Sequence, residues 1–196
     1  MDILVTGFEP FVTGQGVRLK HNPTIDVVTG LQKTLGSSAK FAILPVSFRT
    51  TKTALLELFK EVEPEIWIGL GYAHHRSMVD VETIAVNVEH SNGRDNEGEN
   101  PSMRPIVEGA PIAYGTELDV SLAVADLEAA GVQAQPSFHA GTFLCNQTFY
   151  LGCHQSQTTG NPAIAAFLHI PPMDCHDALV DGLVRLLTRL HYDSPE

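Results

Sequence analysis

The 196-residue chain has little cysteine, little tryptophan and few basic side chains: three Cys, one Trp, and 12 Lys and Arg against 23 Asp and Glu. Three cysteines, an odd number, exclude a small disulfide-stapled scaffold and fit reduced thiols. A formal charge of −11 argues against nucleic acid or an anionic membrane as partner, because either would be repelled over most of the surface. No apolar stretch approaches the ~20 residues of a membrane span. Met1-Asp2-Ile3-Leu4-Val5 has neither a basic leader nor the apolar length of a signal peptide, which gives a cytoplasmic expectation. There is no Cys-x-x-Cys and no His-Glu-x-x-His, so a zinc reading of His74-His75, Cys153-His154 and His169 has poor ligand spacing, and adjacent histidines in an extended segment would point to opposite faces. Gly14-Gln15-Gly16 lacks the third glycine of a dinucleotide fingerprint, and no Gly-Lys-Ser/Thr phosphate loop occurs. No metal site is expected from these spacings, and nucleotide cofactors are unsupported.

What is present is ample apolar material, 43% of residues, enough for one compact domain over residues 1–196 with a substantial core. Ile3 to Thr6 reads as a short strand entering a Gly-Phe-Glu-Pro-Phe loop, and Thr13 to Asn22 continues as a long polar connection of functional length. Pro23 to Leu35 has helical apolar spacing with Asn22 as N-cap. Lys40 to Val46 is a strand, Arg49 to Val62 an amphipathic helix stopped by Pro64, and Glu65 to Gly71 a strand buried on both faces. Val79 to Val88 alternates like a strand, as an antiparallel hairpin or an edge, and Glu89 to Ser102 is a polar loop. Leu118 to Ala130 is a helix ended by Gly131, Ala134 to Phe138 leads into the next unit, and Ala178 to His191 closes the chain as an amphipathic helix. Alternating strands and helices define an α/β fold with a largely parallel sheet covered on both faces.

The chemistry lies between Gly141 and Pro171. Gly141-Thr142 closes a turn ahead of a helical segment from Phe143 to His154, so Cys145 falls in the first turn, where unpaired N–H groups and the helix dipole lower a thiol pKa. Cys145 and Cys153, eight residues apart on one helix, would stand roughly 12 Å apart and cannot be bridged there. His169 ends the apolar run Ile164 to Ile170, which Pro171-Pro172 forbids from continuing. A strand, turn, helix, loop and strand of this kind is one right-handed unit, which brings Cys145 and His169 to a shared sheet edge. The spacing points to a cysteine hydrolase. A carboxylate should hold the imidazole. Glu82 is the best candidate, and Asp80 shares its face in a period-two count. Phe8 and Phe11 are candidate walls of a pocket for an apolar or cyclic group.

Taken together, VTGFEPF with Asn22-Pro23, ILPVSF, ETIAVNV, DNEG, AGTFLCNQTFY and FLHIP resemble the pyroglutamyl peptidase I family, cysteine peptidases that remove an N-terminal pyroglutamyl residue. The resemblance spans nearly the whole chain. It implies a three-layer α/β/α globule with a mostly parallel central sheet, a homo-oligomer (dimer or tetramer), no metal or organic cofactor, and peptides with N-terminal pyroglutamate as substrates. It implies Cys145 as nucleophile, His169 as base and Glu82 as the group that orients the histidine, with Phe8, Phe11, Phe143 and Leu144 around the pyrrolidone ring and Asn22 holding the pocket loop. Val12-Thr13 stand where relatives have Gly-Gly. Tyr72-Ala73-His74-His75-Arg76 stands where they read Gln-Ala-Gly-Gly-Arg, which makes Tyr72 a pocket candidate of changed chemistry, and Arg94 is offset from the family's arginine. Those departures keep two alternatives open: a cysteine amidohydrolase of altered specificity, and a weakly active binding relative.

Overall fold

The computed structural model describes residues 2–13, 16 and 18–193, the last two by backbone alone. Part of the Thr13 to Asn22 connection, including Gly14 and Gln15 of the Gly-Gln-Gly stretch, lies outside the described residues. In chain order the elements are β1 (Ile3–Phe8), α1 (Pro23–Leu35), β2 (Lys40–Leu44), α2 (Thr50–Val62), β3 (Ile66–Tyr72), β4 (Val79–Glu82), β5 (Ile84–Val86), β6 (Ala113–Gly115), α3 (Val120–Ala129), β7 (Ala134–Ser137), α4 (Leu144–Thr159), β8 (Ile164–Ile170) and α5 (Asp177–Asp193).

Six strands form one sheet in the order β2-β1-β3-β8-β4-β7. β2, β1, β3 and β8 run parallel, β4 is antiparallel to β8, and β7 is parallel to β4. Apolar side chains on both faces of the central strands fill two cores, as a sheet covered on both sides requires. On one face Ile66, Ile68 and Leu70 pack with Val27 and Leu31 of α1, Leu127 of α3 and Leu183 and Leu187 of α5. On the other, Trp67 and Phe167 pack with Phe59 of α2 and Phe149 of α4. The result is the expected three-layer α/β/α arrangement.

Local chemistry sets the element ends. Asn22 caps α1 by accepting from Thr24 N–H at 3.1 Å, ahead of Pro23 in the first turn, an arrangement that contributes about 1 kcal/mol. α4 lies unusually close to the sheet because Gly152 carries no side chain: a Cβ there would come within 2.4 Å of the Trp67 ring.

The structure corrects one strand. The alternation from Val79 to Val88 does not continue as one element but breaks at Thr83, whose N–H and Oγ1 both donate to the Ser137 carbonyl at 2.7 Å. β4 stays in the main sheet between β8 and β7, so it is an interior strand. β5 leaves to pair antiparallel with β6, a short strand within a stretch to which the sequence reading gave no element. The edge on this side of the sheet is β7, which tolerates Pro136 for that reason.

Candidate active site

α4 begins immediately after Phe143, whose carbonyl accepts the first intrahelical bond from Gln147 N–H at 3.0 Å. Cys145 is therefore the second residue of the helix, among the N–H groups that have no intrahelical partner. Its sulfur rests over Gly71 of β3, directly across the sheet from His169, with which Gly71 is in register. His169 shares a face of β8 with Phe167, and their rings pack edge to face at 5.2 Å. The thiol, the imidazole and the carboxylate thus come from α4 and from two neighbouring strands, with β3 bare beneath the sulfur.

His169 Nδ1 stands 2.7 Å from Glu82 Oε1, and both side chains are buried. With Nδ1 so engaged, Nε2 is the nitrogen left to face Cys145. Burial, the largest influence, favours the neutral ring, yet the charge of and hydrogen bond with Cys145, together with those of Glu82, outweigh it and push the His169 pKa up to about 9. A proton resides on this imidazole at neutral pH when the thiolate is beside it.

Two carboxylates compete for that histidine by sequence, and the structure separates them. Asp80 lies directly opposite His169 in the antiparallel register, but it accepts from Arg76 and, at 2.8 Å, from Gln135 Nε2. Glu82, one pleat along the same face, takes the imidazole. Neither is an exposed edge carboxylate, as β4 at an edge would have made them: Asp80 is 3% exposed and Glu82 0%.

Above the pair opens a cavity of about 330 Å³, at the small end of ligand pockets. All six residues expected around the substrate line it: Phe8, Phe11, Asn22, Tyr72, Phe143 and Leu144, with Cys145 and His169 at its floor. Asn22 does two things there, since beyond capping α1 it donates Nδ2–H to the Glu9 carbonyl at 3.0 Å and ties down the loop after β1. His74, His75, His90 and Arg94 also contribute to the wall.

Four features escaped the sequence reading. His74 and His75 sit in a turn closed by Arg76 N–H to the Ala73 carbonyl at 3.0 Å, so their rings meet edge to face at 5.4 Å and do not point to opposite faces as extended chain would have them. Among the described residues no group of three His, Cys, Asp or Glu side chains is placed to hold a metal ion. Asp95 organises the loop that walls one side of the cavity by accepting from Phe48, Glu97 and Glu99 N–H groups at 2.8 to 2.9 Å. The signal for it was present, since Asp in a polar, Gly-containing run favours such turns. Asn146, next to the nucleophile candidate, accepts from Val86 N–H at 3.0 Å and donates to the Val86 carbonyl at 2.8 Å, which holds β5 against α4. Arg76 touches both Asp80 and Glu82.

A mostly parallel α/β sheet carrying a thiol at a helix N-terminus, beside an imidazole held by a buried carboxylate, has the geometry of the thiol hydrolases. Within that class, the family model for pyroglutamyl peptidases matches residues 1–181, and the chain belongs to that family. It is 39% identical over 173 residues to the pyrrolidone-carboxylate peptidase of Pyrococcus furiosus, covering 87% of this chain and 81% of the relative. It is 34% identical over 171 residues to that of Bacillus cereus, covering 86% and 77%. The crystal structures of the Pyrococcus furiosus pyrrolidone carboxyl peptidase and its Cys-free mutant superpose on it with a TM-score of 0.89 at 32% identity, covering 98% of this chain and 99% of that one. No helix among the described residues is long and apolar enough to cross a membrane.

Proposed function

We propose that this chain is a cysteine peptidase that removes an N-terminal pyroglutamyl residue from peptides through a thioester intermediate. The observation that carries the reading is the buried line from Glu82 through His169 to Cys145 at the floor of an aromatic cavity. Family membership supports the same substrate.

In the proposed mechanism His169 takes the Cys145 proton, and the thiolate attacks the carbonyl carbon of the pyroglutamyl group. The oxyanion that forms is stabilised by the Cys145 backbone N–H at the start of α4, where the helix dipole also favours negative charge. As the C–N bond breaks, His169 gives its proton to the departing amine. A water molecule, deprotonated by His169, then hydrolyses the thioester and regenerates the thiol. Glu82 holds Nδ1–H throughout and fixes the ring orientation. Phe8, Phe11, Phe143 and Leu144 form the wall around the lactam ring. An ordinary charged amino terminus is disfavoured there, because it would be desolvated against apolar side chains.

The same reading has the chain as one domain over residues 1–196, working without metal or cofactor, in the cytoplasm, as a homo-oligomer. A second reading, a cysteine amidohydrolase of altered specificity, is favoured by Tyr72, His74 and His75, which all line the cavity. The roles are tested by substitution: Cys145→Ser and His169→Ala abolish turnover while His154→Ala leaves it. Equal activity of the two histidine variants removes His169 from the mechanism.

A further inference from the structure

Arg76 follows β3 in the turn that carries His74 and His75, and its guanidinium is largely buried beneath the catalytic face. Nη1 approaches Glu82 Oε1 to 3.0 Å, the same oxygen that holds His169 Nδ1, and it also donates to Asp80 Oδ2 and, at 3.1 Å, to Ser137 Oγ. Nη2 donates to the His139 carbonyl at 2.8 Å. Four contacts, two from β4 and two from the stretch Ser137 to His139, hold one cation between two buried carboxylates.

We infer that Arg76 is a positioning residue for the reaction: its guanidinium, shared between Glu82 and Asp80, presents Glu82 Oε1 to His169 as a hydrogen-bond acceptor. This rests on the proposed roles of Glu82, His169 and Cys145. The physical need is plain. Asp80 and Glu82 lie on one strand face, two residues apart, with almost no access to water. Two carboxylates so placed cannot both stay ionised without a cation, and one takes up a proton. A protonated Glu82 would donate to Nδ1, and the ring proton would then have to sit on Nε2, turned toward the thiol. The imidazole could no longer accept the thiol proton, and turnover would stop.

The charged and titratable groups around Glu82 are Arg76 and His75 from the turn after β3, Asp80 on its own strand, His169 on β8 and Cys145 on α4; β7 contributes the neutral Gln135 and Ser137. His75 is held below its ordinary range by burial and by the charges of Arg76, His74 and His169, so it is uncharged above neutral pH.

The test is the pH profile of kcat/KM on a pyroglutamyl amide for the native chain, Arg76→Gln, Arg76→Lys, Asp80→Asn and Arg76→Gln with Asp80→Asn, with melting temperatures for each. Loss of the cation favours the protonated carboxyl, so Arg76→Gln moves the acid limb up and loses about tenfold or more at pH 7, with recovery toward pH 9. Arg76→Lys keeps the native limb. Asp80→Asn leaves it in place or lowers it, and the double variant returns toward native because the rival charge is gone. An Arg76→Gln profile that overlays the native one overturns the inference, as does an equal loss at every pH in both Arg76 variants that tracks melting temperature. If Arg76→Gln does not fold, Asp80→Asn decides, and an upward move of its acid limb is contradictory. Glu82→Gln separates the levels: full activity there refutes the role of Glu82 itself, whereas an inactive Glu82→Gln beside an unshifted Arg76→Gln refutes only the role of Arg76.

Discussion

A β-carbon at Gly71 would lie 2.7 Å from the Cys145 sulfur. Strand β3 is bare at that point because the thiol occupies the space, on the strand next to the one that carries His169. The same β-carbon would press on the Phe167 ring at 2.9 Å, and Phe167 in turn packs on His169.

Gly71→Ala therefore displaces the sulfur from the imidazole. Overpacking of this kind costs about 1–3 kcal/mol, and a misplaced nucleophile costs about a hundredfold in rate. We expect kcat/KM to fall by at least tenfold and iodoacetamide to label Cys145 more slowly. In the native chain the expected labelling order is Cys145, then exposed Cys175, then Cys153, whose thiol pKa is pushed up by burial and by the charge of Glu117. Peptide mapping reads both. Unchanged Cys145 labelling in Gly71→Ala would show that the strand does not seat the thiol.

The raised pKa of His169 gives a pH dependence of stability. The folded value is about 9 against an ordinary 6.5, so the folded chain binds the proton more tightly than the unfolded one. That contribution is complete below about pH 6.5 and is lost as pH rises through about 9. Urea unfolding at pH 6.5 and pH 9.5 checks it: the native chain loses more stability across this window than Glu82→Gln, which lacks the carboxylate charge. Equal losses would remove the Glu82 pair as a contributor and leave Cys145, the larger source of the rise.

Tyr72 ends β3 at the cavity wall. A phenol offers one hydroxyl where an amide both donates and accepts, and one pocket hydrogen bond is worth roughly 1 kcal/mol or somewhat more. Tyr72→Gln, alone or with His74 and His75 changed to Gly, should change kcat/KM for pyroglutamyl amides by about tenfold. Steady-state kinetics beside melting temperature checks this. A kcat/KM within twofold and a lower melting temperature would make Tyr72 scaffold.

Much of this was legible in the sequence, for identifiable reasons. Cys145 at a helix start and His169 before Pro171-Pro172 are local signals, since the turn residue, the helix spacing and the proline stop each act within a few positions. Glu82 could not be separated from Asp80 by period, because both face the same way. The choice depends on Arg76 and Gln135, which arrive from another turn and another strand. The break at Thr83 was hidden for the same reason: its cause is a carbonyl on β7, more than fifty residues along the chain. The turn that joins the rings of His74 and His75 had no glycine or proline to mark it.

The most direct measurement is a panel of fluorogenic amides carrying pyroglutamyl, prolyl, alanyl and acetyl groups, assayed with the native chain and with Cys145→Ser in the presence of a reductant. Turnover of the pyroglutamyl amide alone is expected, with kcat/KM for the others lower by about a hundredfold or more, because a charged or undersized acyl group leaves pocket groups unpaired or desolvated, and no turnover by Cys145→Ser. Preferential cleavage of another acyl amide, or retained pyroglutamyl turnover in Cys145→Ser, would contradict this expectation.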